Sequence, residues 1–201
     1  MPTTLLPEAL KVYGVDMATL PEPNLITSAQ FLQIDFGPDI KAELDNGIIR
    51  MMAGGTAAHA RVQSNTMLAL GVALRGTGCR PYGSDMAVNT YAMSVRYPDI
   101  SVYCGKDSEI FDNVKAFDDP VVLIEIISPS TAAHDQGTKL NEYRALPSVQ
   151  TILLIDPSAN TVRSITRTGP KGWTDDVPGA NEDIAIPHLG IALSQGEIFA
   201  R

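Results

Sequence analysis

No run of about 18 uninterrupted apolar residues occurs in this sequence, so a membrane span is not expected. Cysteine is scarce. Cys79 and Cys104 stand in neither a metal-ligand nor a redox spacing, and they read as small buried hydrophobes in a reducing compartment. The start, Met1-Pro2-Thr3-Thr4, lacks a basic segment ahead of an apolar core. No secretory signal is expected there, and a cytoplasmic protein is the default. Three hydrolase signatures are also missing. There is no Gly-x-Ser-x-Gly elbow, no His-Glu-x-x-His zinc pair and no phosphate loop ending in Gly-Lys-Ser/Thr. Positive charge is in deficit, with 15 Lys and Arg against 23 Asp and Glu, a net charge of −8. Strong non-specific DNA binding is not expected of such a chain, because phosphate neutralisation supplies much of that affinity. The acids do cluster, at Asp107, Glu109, Asp112, Asp118 and Asp119 and again at Asp175, Asp176, Glu182 and Asp183. Net charge therefore says little about any one site.

What is present is enough for one well-buried α/β domain of 201 residues, with residues 1–25 as an N-terminal extension. Thr27-Ser28 ahead of Ala29 to Ile34 predicts a short capped helix. Lys41–Asp45 and Ile48–Met52 flank Asn46-Gly47, whose tolerance of positive φ predicts a hairpin. Val62, Ala69, Leu70, Ala73 and Leu74 make one apolar stripe of a helix over residues 56–75. Short strands are expected near Met86–Asn89 and Ile100–Cys104. Val121–Ile127 is apolar on both faces, the pattern of a central strand covered on both sides. A helix from about Asp135 to Leu146 should follow, then a strand at Thr151–Ile155, its hairpin partner at Thr161–Thr166, and a terminal helix near Gln195–Ala200. Strands alternating with two substantial helices imply a mixed central β-sheet flanked by helices.

One residue breaks the apolar pattern of the central strand. Glu125 sits where both faces should be covered, and an unpaired carboxylate there costs several kcal/mol in desolvation. It needs a cation, a metal or a proton; the bland reading is a structural ion pair. Asp99 follows Pro98 at the head of the strand Ile100–Cys104 and could point into a cleft beside Glu125. Two such carboxylates suit Mg²⁺ or Mn²⁺, which take hard oxygen ligands and keep some of their water. Alone, Pro-Asp is a common turn dipeptide. Asp135, Lys139 and Tyr143 are spaced i, i+4, i+8, with Leu146 near the same stripe, so Lys139 and Tyr143 share a helix face. The plainer alternative is an exposed Asp135–Lys139 pair, worth about 0.3–0.5 kcal/mol.

Tyr97-Pro98-Asp99-Ile100-Ser101-Val102, Leu123 to Thr131 and Asp135 to Tyr143 together resemble the Uma-type endonuclease family of the PD-(D/E)XK nuclease superfamily. So do Ala42 to Gly47, His59-Ala60-Arg61-Val62 and Leu153 to Pro157, so that the likeness runs over roughly residues 25 to 200. The resemblance implies a restriction-endonuclease-like fold and a divalent-metal-dependent nuclease. The superfamily usually places a lysine two residues after the strand acid, on the same strand face. Here Ile127 fills that slot, and the resemblance implies that Lys139 is delivered from the next helix instead. It also implies Glu43 as a third acid near the metal. For His59 the alternatives are a packing residue and a supporting or substrate-contacting role; Tyr143 is open between core packing and positioning Lys139. Ser128 and Ser130 read as side-chain-to-backbone bonding at a strand end and a helix start.

The expected chemistry is hydrolysis of a phosphodiester, DNA foremost, with Mg²⁺ or Mn²⁺ on Asp99, Glu125 and Glu43 and with Lys139 stabilising charge on the phosphate. Arg61, Arg96 and Arg144 flank these motifs and are the expected contacts to the phosphate backbone. A homodimer would supply two sites for two strands. The competing class is a catalytically inactive nuclease-fold module that binds nucleic acid or protein, which the acidic balance favours.

Overall fold

A computed structural model describes residues 24–38, 40–106, 111–128 and 135–201, with only the backbone at 135 and 136. Most of the expected N-terminal extension, the acids Asp107 and Glu109, Ser130 and the side chain of Asp135 lie outside the described residues.

The central strand of the sequence is central in space. β8 (Val122–Ile126) is buried at every position, between β6 (Ile100–Cys104) antiparallel and β9 (Thr151–Asp156) parallel. With β3 (Cys79–Gly83), β10 (Thr161–Arg167) and β11 (Trp173–Asp176) these form a six-stranded mixed sheet in the order β11-β10-β9-β8-β6-β3. The pleat sorts its side chains. Val122, Ile124 and Ile126 pack with Ile100, Val102, Leu153 and Ile155 beneath α2 (Ala57–Ala73), which contributes Val62 and Leu70. Leu123 turns the other way and packs with Ile152, Leu154 and Tyr103 against α3 (Leu140–Ala145), which contributes Leu140 and Tyr143. Glu125, two residues after Leu123, therefore points at α3 and not at α2.

A second, five-stranded sheet runs in the order β2-β1-β5-β4-β7. Its members are β1 (Ala42–Asp45), β2 (Ile48–Met51), β4 (Ala87–Tyr91), β5 (Ser94–Arg96) and β7 (Ala116–Phe117). The expected hairpin is β1–β2, turned by Asn46 and Gly47 at φ 50° and 81°. Ala42 and Leu44 enter a small core with Phe31, Ala87 and Val95, so Glu43 and Asp45 face the opposite way, and both are buried. The short helix α1 (Ser28–Phe31) carries the expected cap, with Thr27 and Gln30 bonding reciprocally. A two-stranded ribbon, β12 (Ile184–Ile186) with β13 (Ile191–Leu193), and α4 (Gln195–Ile198) close the α2 side. Among the described residues no helix is long and apolar enough to cross a membrane.

Two expectations change. The helix expected from Asp135 begins as a π-helical turn, Asp135–Lys139, before α3. Cys79 and Cys104 are not separate thiols. They are direct partners in the β3–β6 register and form a disulfide, so the pair no longer argues for a reducing compartment. The antiparallel register brings together residues that lie 25 apart in sequence, which no local spacing reveals.

Candidate active site

Glu125 is 4% exposed and meets two groups from the α3 side. The Tyr143 hydroxyl donates to its Oε1 at 2.6 Å, and the Lys139 ammonium lies 3.3 Å from the same oxygen. Lys139, itself 5% exposed, also pairs with Glu43 Oε1 at 3.0 Å. The ammonium thus bridges an acid of each sheet. Burial, the charges of Glu125 and Glu43 and the bond to Glu125 hold the Tyr143 phenol well above the usual tyrosine range. It stays neutral and serves as a donor.

Behind this cluster lies Arg96, whose side chain is wholly buried. Its Nε and one terminal nitrogen fork onto Glu142 at 2.7 and 2.6 Å. The same terminal nitrogen donates to Asp45 Oδ1 at 2.8 Å, and the other lies 3.5 Å from Glu43 Oε2. Thr90 donates a further bond to Glu142, and Arg50 pairs with Asp45. Burial works against the charge on Arg96, but Glu142, Asp45 and Glu43 outweigh it and raise the guanidinium above its ordinary range. For Asp45, too, burial is opposed and outweighed by Arg96 and Arg50, which hold its carboxyl below the usual range. The expectation that Arg96 contacts phosphate is corrected: the guanidinium is enclosed by carboxylates and does not reach solvent.

Asp99 sits just before β6 and is fixed by backbone and by α2. Its Oδ2 accepts from the Ile126 N–H at 2.7 Å and lies 3.2 Å from His59 Nε2. Its carbonyl accepts from the Gln63 side chain at 2.9 Å. Asp99, Glu125, Lys139 and His59 all line one cleft of about 430 Å³, whose wall also includes Lys41, Tyr97, Ser128 and the Gly54-Gly55 pair. Gly55 lets the loop pass close to the His59 ring: a Cβ there would stand 2.8 Å from it, so the ring would have to shift.

Of the three carboxylates expected at the metal, Asp99 and Glu125 line the cleft and Glu43 is not among its lining residues. Among the described residues no group of three His, Cys, Asp or Glu side chains could hold a metal ion. The physical reason is Lys139, whose ammonium sits between Glu43 and Glu125. The oxygens of Glu43 are committed to Lys139, Arg96 and the Tyr97 N–H, which donates at 3.1 Å. Asp99 and Glu125 remain as two hard-oxygen donors on one cleft wall, and this fits Mg²⁺, which commonly takes one or two carboxylates and completes its shell with water and phosphate.

The other expected residues fall elsewhere. Arg144 faces away from this cleft, on Asp175 and beside Trp173. Arg61 lies on α2 with its Nε buried and without a hydrogen-bond partner. The plainer alternative of an exposed Asp135–Lys139 pair falls partly on a side chain outside the described residues; Lys139 itself is buried on acids of both sheets. Sequence reasoning passed over Asp45, Glu142, Gln63 and Lys41. Asp45 held a usable signal, because it is two residues from Glu43 and so shares its strand face.

The chain is similar to two uncharacterized proteins of Synechocystis. One, sll1609, is 27% identical over 177 residues, covering 87% of this chain and all of the relative; the other, slr1290, is 24% identical over 180 residues, covering 89% and 93%. A solved structure from Anabaena variabilis, described as a putative nuclease belonging to DUF820, superposes with a TM-score of 0.70 at 21% identity. It covers 87% of this chain and 98% of the other, and so establishes the nuclease-like α/β fold. The family model Uma2, described as "Putative restriction endonuclease", matches residues 28–195. Its span takes in every candidate residue above, and the chain belongs to the Uma2 family.

Proposed function

We propose that this chain hydrolyses phosphodiester bonds in nucleic acid, DNA foremost, with a divalent cation held by Asp99 and Glu125. The observation that carries the reading is the convergence of two carboxylates and one buried ammonium, Lys139, on a single cleft. The family description supports the same reading. Bound there, Mg²⁺ or Mn²⁺ would polarise the phosphoryl oxygen and acidify a water. Asp99 is set for its part by the Ile126 N–H and His59, which fix its Oδ2. Tyr143 stays protonated and anchors Glu125 from below. Lys139 sets a positive charge on the cleft wall, where negative charge builds on the phosphate during transfer. Lys41 adds a second cation to the same cleft. A homodimer would bring two such clefts to a duplex.

A second reading, a nuclease fold kept for binding alone, has one observation in its favour. Two of the three arginines expected on phosphates, Arg96 and Arg144, are engaged by carboxylates. Cleavage assays separate the two readings. Wild type, Asp99→Asn, Glu125→Gln and Lys139→Met would be compared on single- and double-stranded DNA and RNA with Mg²⁺ or Mn²⁺. Wild type should cut, and each variant should lose about 100-fold or more. Equal background in all four ends the enzymatic reading.

A further inference from the structure

The amine at the centre of this site rides on a poor support. Lys139 closes a five-residue π-helical turn and is the N-cap of a helix of only six residues, with no side-chain cap bond. A segment this short has little helical stability of its own, since nucleation is unfavourable and few propagating bonds follow it. Yet Lys139 is buried and aimed at two acids. Something outside the segment must fix it.

The far end of α3 has its own clamp. Arg167 donates to the carbonyls of Arg144 and Leu146 at 3.1 and 2.7 Å. The near end, which carries Lys139, is held by Glu142 and Tyr143, three and four residues on and therefore on the same face. Tyr143 reaches Glu125, on the sheet. Glu142 reaches only Thr90 and the fork of Arg96 among its described partners.

We propose that Arg96 is the positioning residue for Lys139. It ties Glu142 of α3 to Asp45 and Glu43 of β1, and so sets where the π-helical turn delivers the ammonium. Charge-assisted, forked hydrogen bonds are the strongest and most directional available to side chains. A planar guanidinium can serve Glu142 bidentately and still bond Asp45, which a lysine cannot do. The same cation holds Glu43, the acid that receives Lys139 from the other side. One residue thus fixes both the amine's carrier and one of its partners. Arg96 does this from full burial, without touching the cleft.

The consequence for turnover rests on the nuclease reading; the positioning itself does not, and the test reads positioning directly. Intact protein would be treated with a limiting amine-acylating reagent and the extent of modification at each lysine read by peptide mass spectrometry. The exposed Lys115 and Lys171 serve as internal references. Wild type, Arg96→Met, Arg96→Lys and Glu142→Gln would be compared, each checked for a cooperative melt. In wild type Lys139 should be the slow site. In Arg96→Met and Glu142→Gln its relative rate should rise about tenfold or more, as the near end of α3 opens locally. Arg96→Lys should fail to restore protection. A folded Arg96→Met protein with Lys139 as protected as in wild type overturns the proposal. Should Arg96→Met not fold, Glu142→Gln decides alone, because it breaks the fork and leaves Arg96 on Asp45 and Glu43; continued protection there overturns it equally. Absence of cleavage in wild type would end the nuclease reading and leave this result standing.

Discussion

The two walls of the cleft are built by different physics. On the sheet wall, Glu125 is held by the ladder of β8, in register with Leu154 of β9, and Asp99 by the N–H of Ile126. Backbone geometry places both acids, and burying the surrounding strands supplies the stability. On the helix wall, Lys139 is placed by side-chain charges: Glu43, Glu125 and, through Glu142, Arg96. A ladder keeps its geometry through backbone bonds when one side chain is lost, even where stability falls. A charge cluster does not, because a buried charge whose partner is removed costs several kcal/mol. The sheet wall is therefore the rigid reference, and the helix wall is where mutation or modification can tune the site.

The largest expected effect separates the walls by the way each one fails. Ile124 is fully buried in the sheet's α2-facing core. Ile124→Ala should lower global stability by about 2–5 kcal/mol, the usual range for a buried aliphatic truncation. Leu140→Ala removes comparable volume from the α3 side. Its cost should appear mainly as opening of residues 135–145, measured by native-state hydrogen exchange, below the global unfolding free energy. Equal loss of protection throughout the protein in Leu140→Ala would mean that the two walls form one cooperative unit.

Legibility followed the same division. The sheet wall was written locally. An apolar β-branched run with one acid in it announced β8 and Glu125, and Asn46-Gly47 announced the hairpin that carries Glu43. The helix wall was legible only in part. The spacing of Lys139 and Tyr143 showed that they share a face, but the π-helical turn depends on tertiary contacts. Arg96 looked like a phosphate-contacting cation beside Tyr97-Pro98-Asp99, because its partners Glu142 and Asp45 are 46 and 51 residues away. Glu142 in a polar stretch reads like any solvated helix glutamate until β5 comes alongside. The Cys79–Cys104 pair was hidden because β3 contains Pro81 and has no clean alternation.

The next effect is smaller and depends on pH. Tyr143→Phe deletes a hydrogen bond to a buried carboxylate, worth about 1.5–3 kcal/mol near neutrality. Burial and the charges of Glu125 and Glu43 raise the folded-state pKa of Tyr143 above its unfolded value. The neutral phenol's contribution is thus fully present below the unfolded value of about 10 and is lost as pH climbs through the folded one. Urea melts from pH 7 to 11 should show wild type losing stability above pH 10 with a steeper slope than Tyr143→Phe. Identical slopes would mean that Tyr143 ionises in the native state as it does in the unfolded chain.

The smallest effect asks whether the walls can exchange roles. Ile127 follows Glu125 by two residues, so its side chain leaves β8 on the same face, and it packs only partly buried at the edge of the α3-side cluster. Its N–H bonds the Ile155 carbonyl at 2.7 Å, so its backbone is fixed by the ladder and not by charge. A lysine there would carry its ammonium from the rigid wall. Lys139→Met should abolish cleavage. Adding Ile127→Lys should recover about tenfold, an incomplete rescue equivalent to about 1.4 kcal/mol of barrier, because the new amine approaches Glu125 without the partnership of Glu43. Recovery should also be insensitive to Glu142→Gln, since a strand-borne amine has no need of the Arg96 fork. If the double variant stays inactive while binding Mn²⁺ as wild type does, the amine works only from the helix, and the tethering of α3 by buried charge is then a requirement of the site and not an accident of its ancestry.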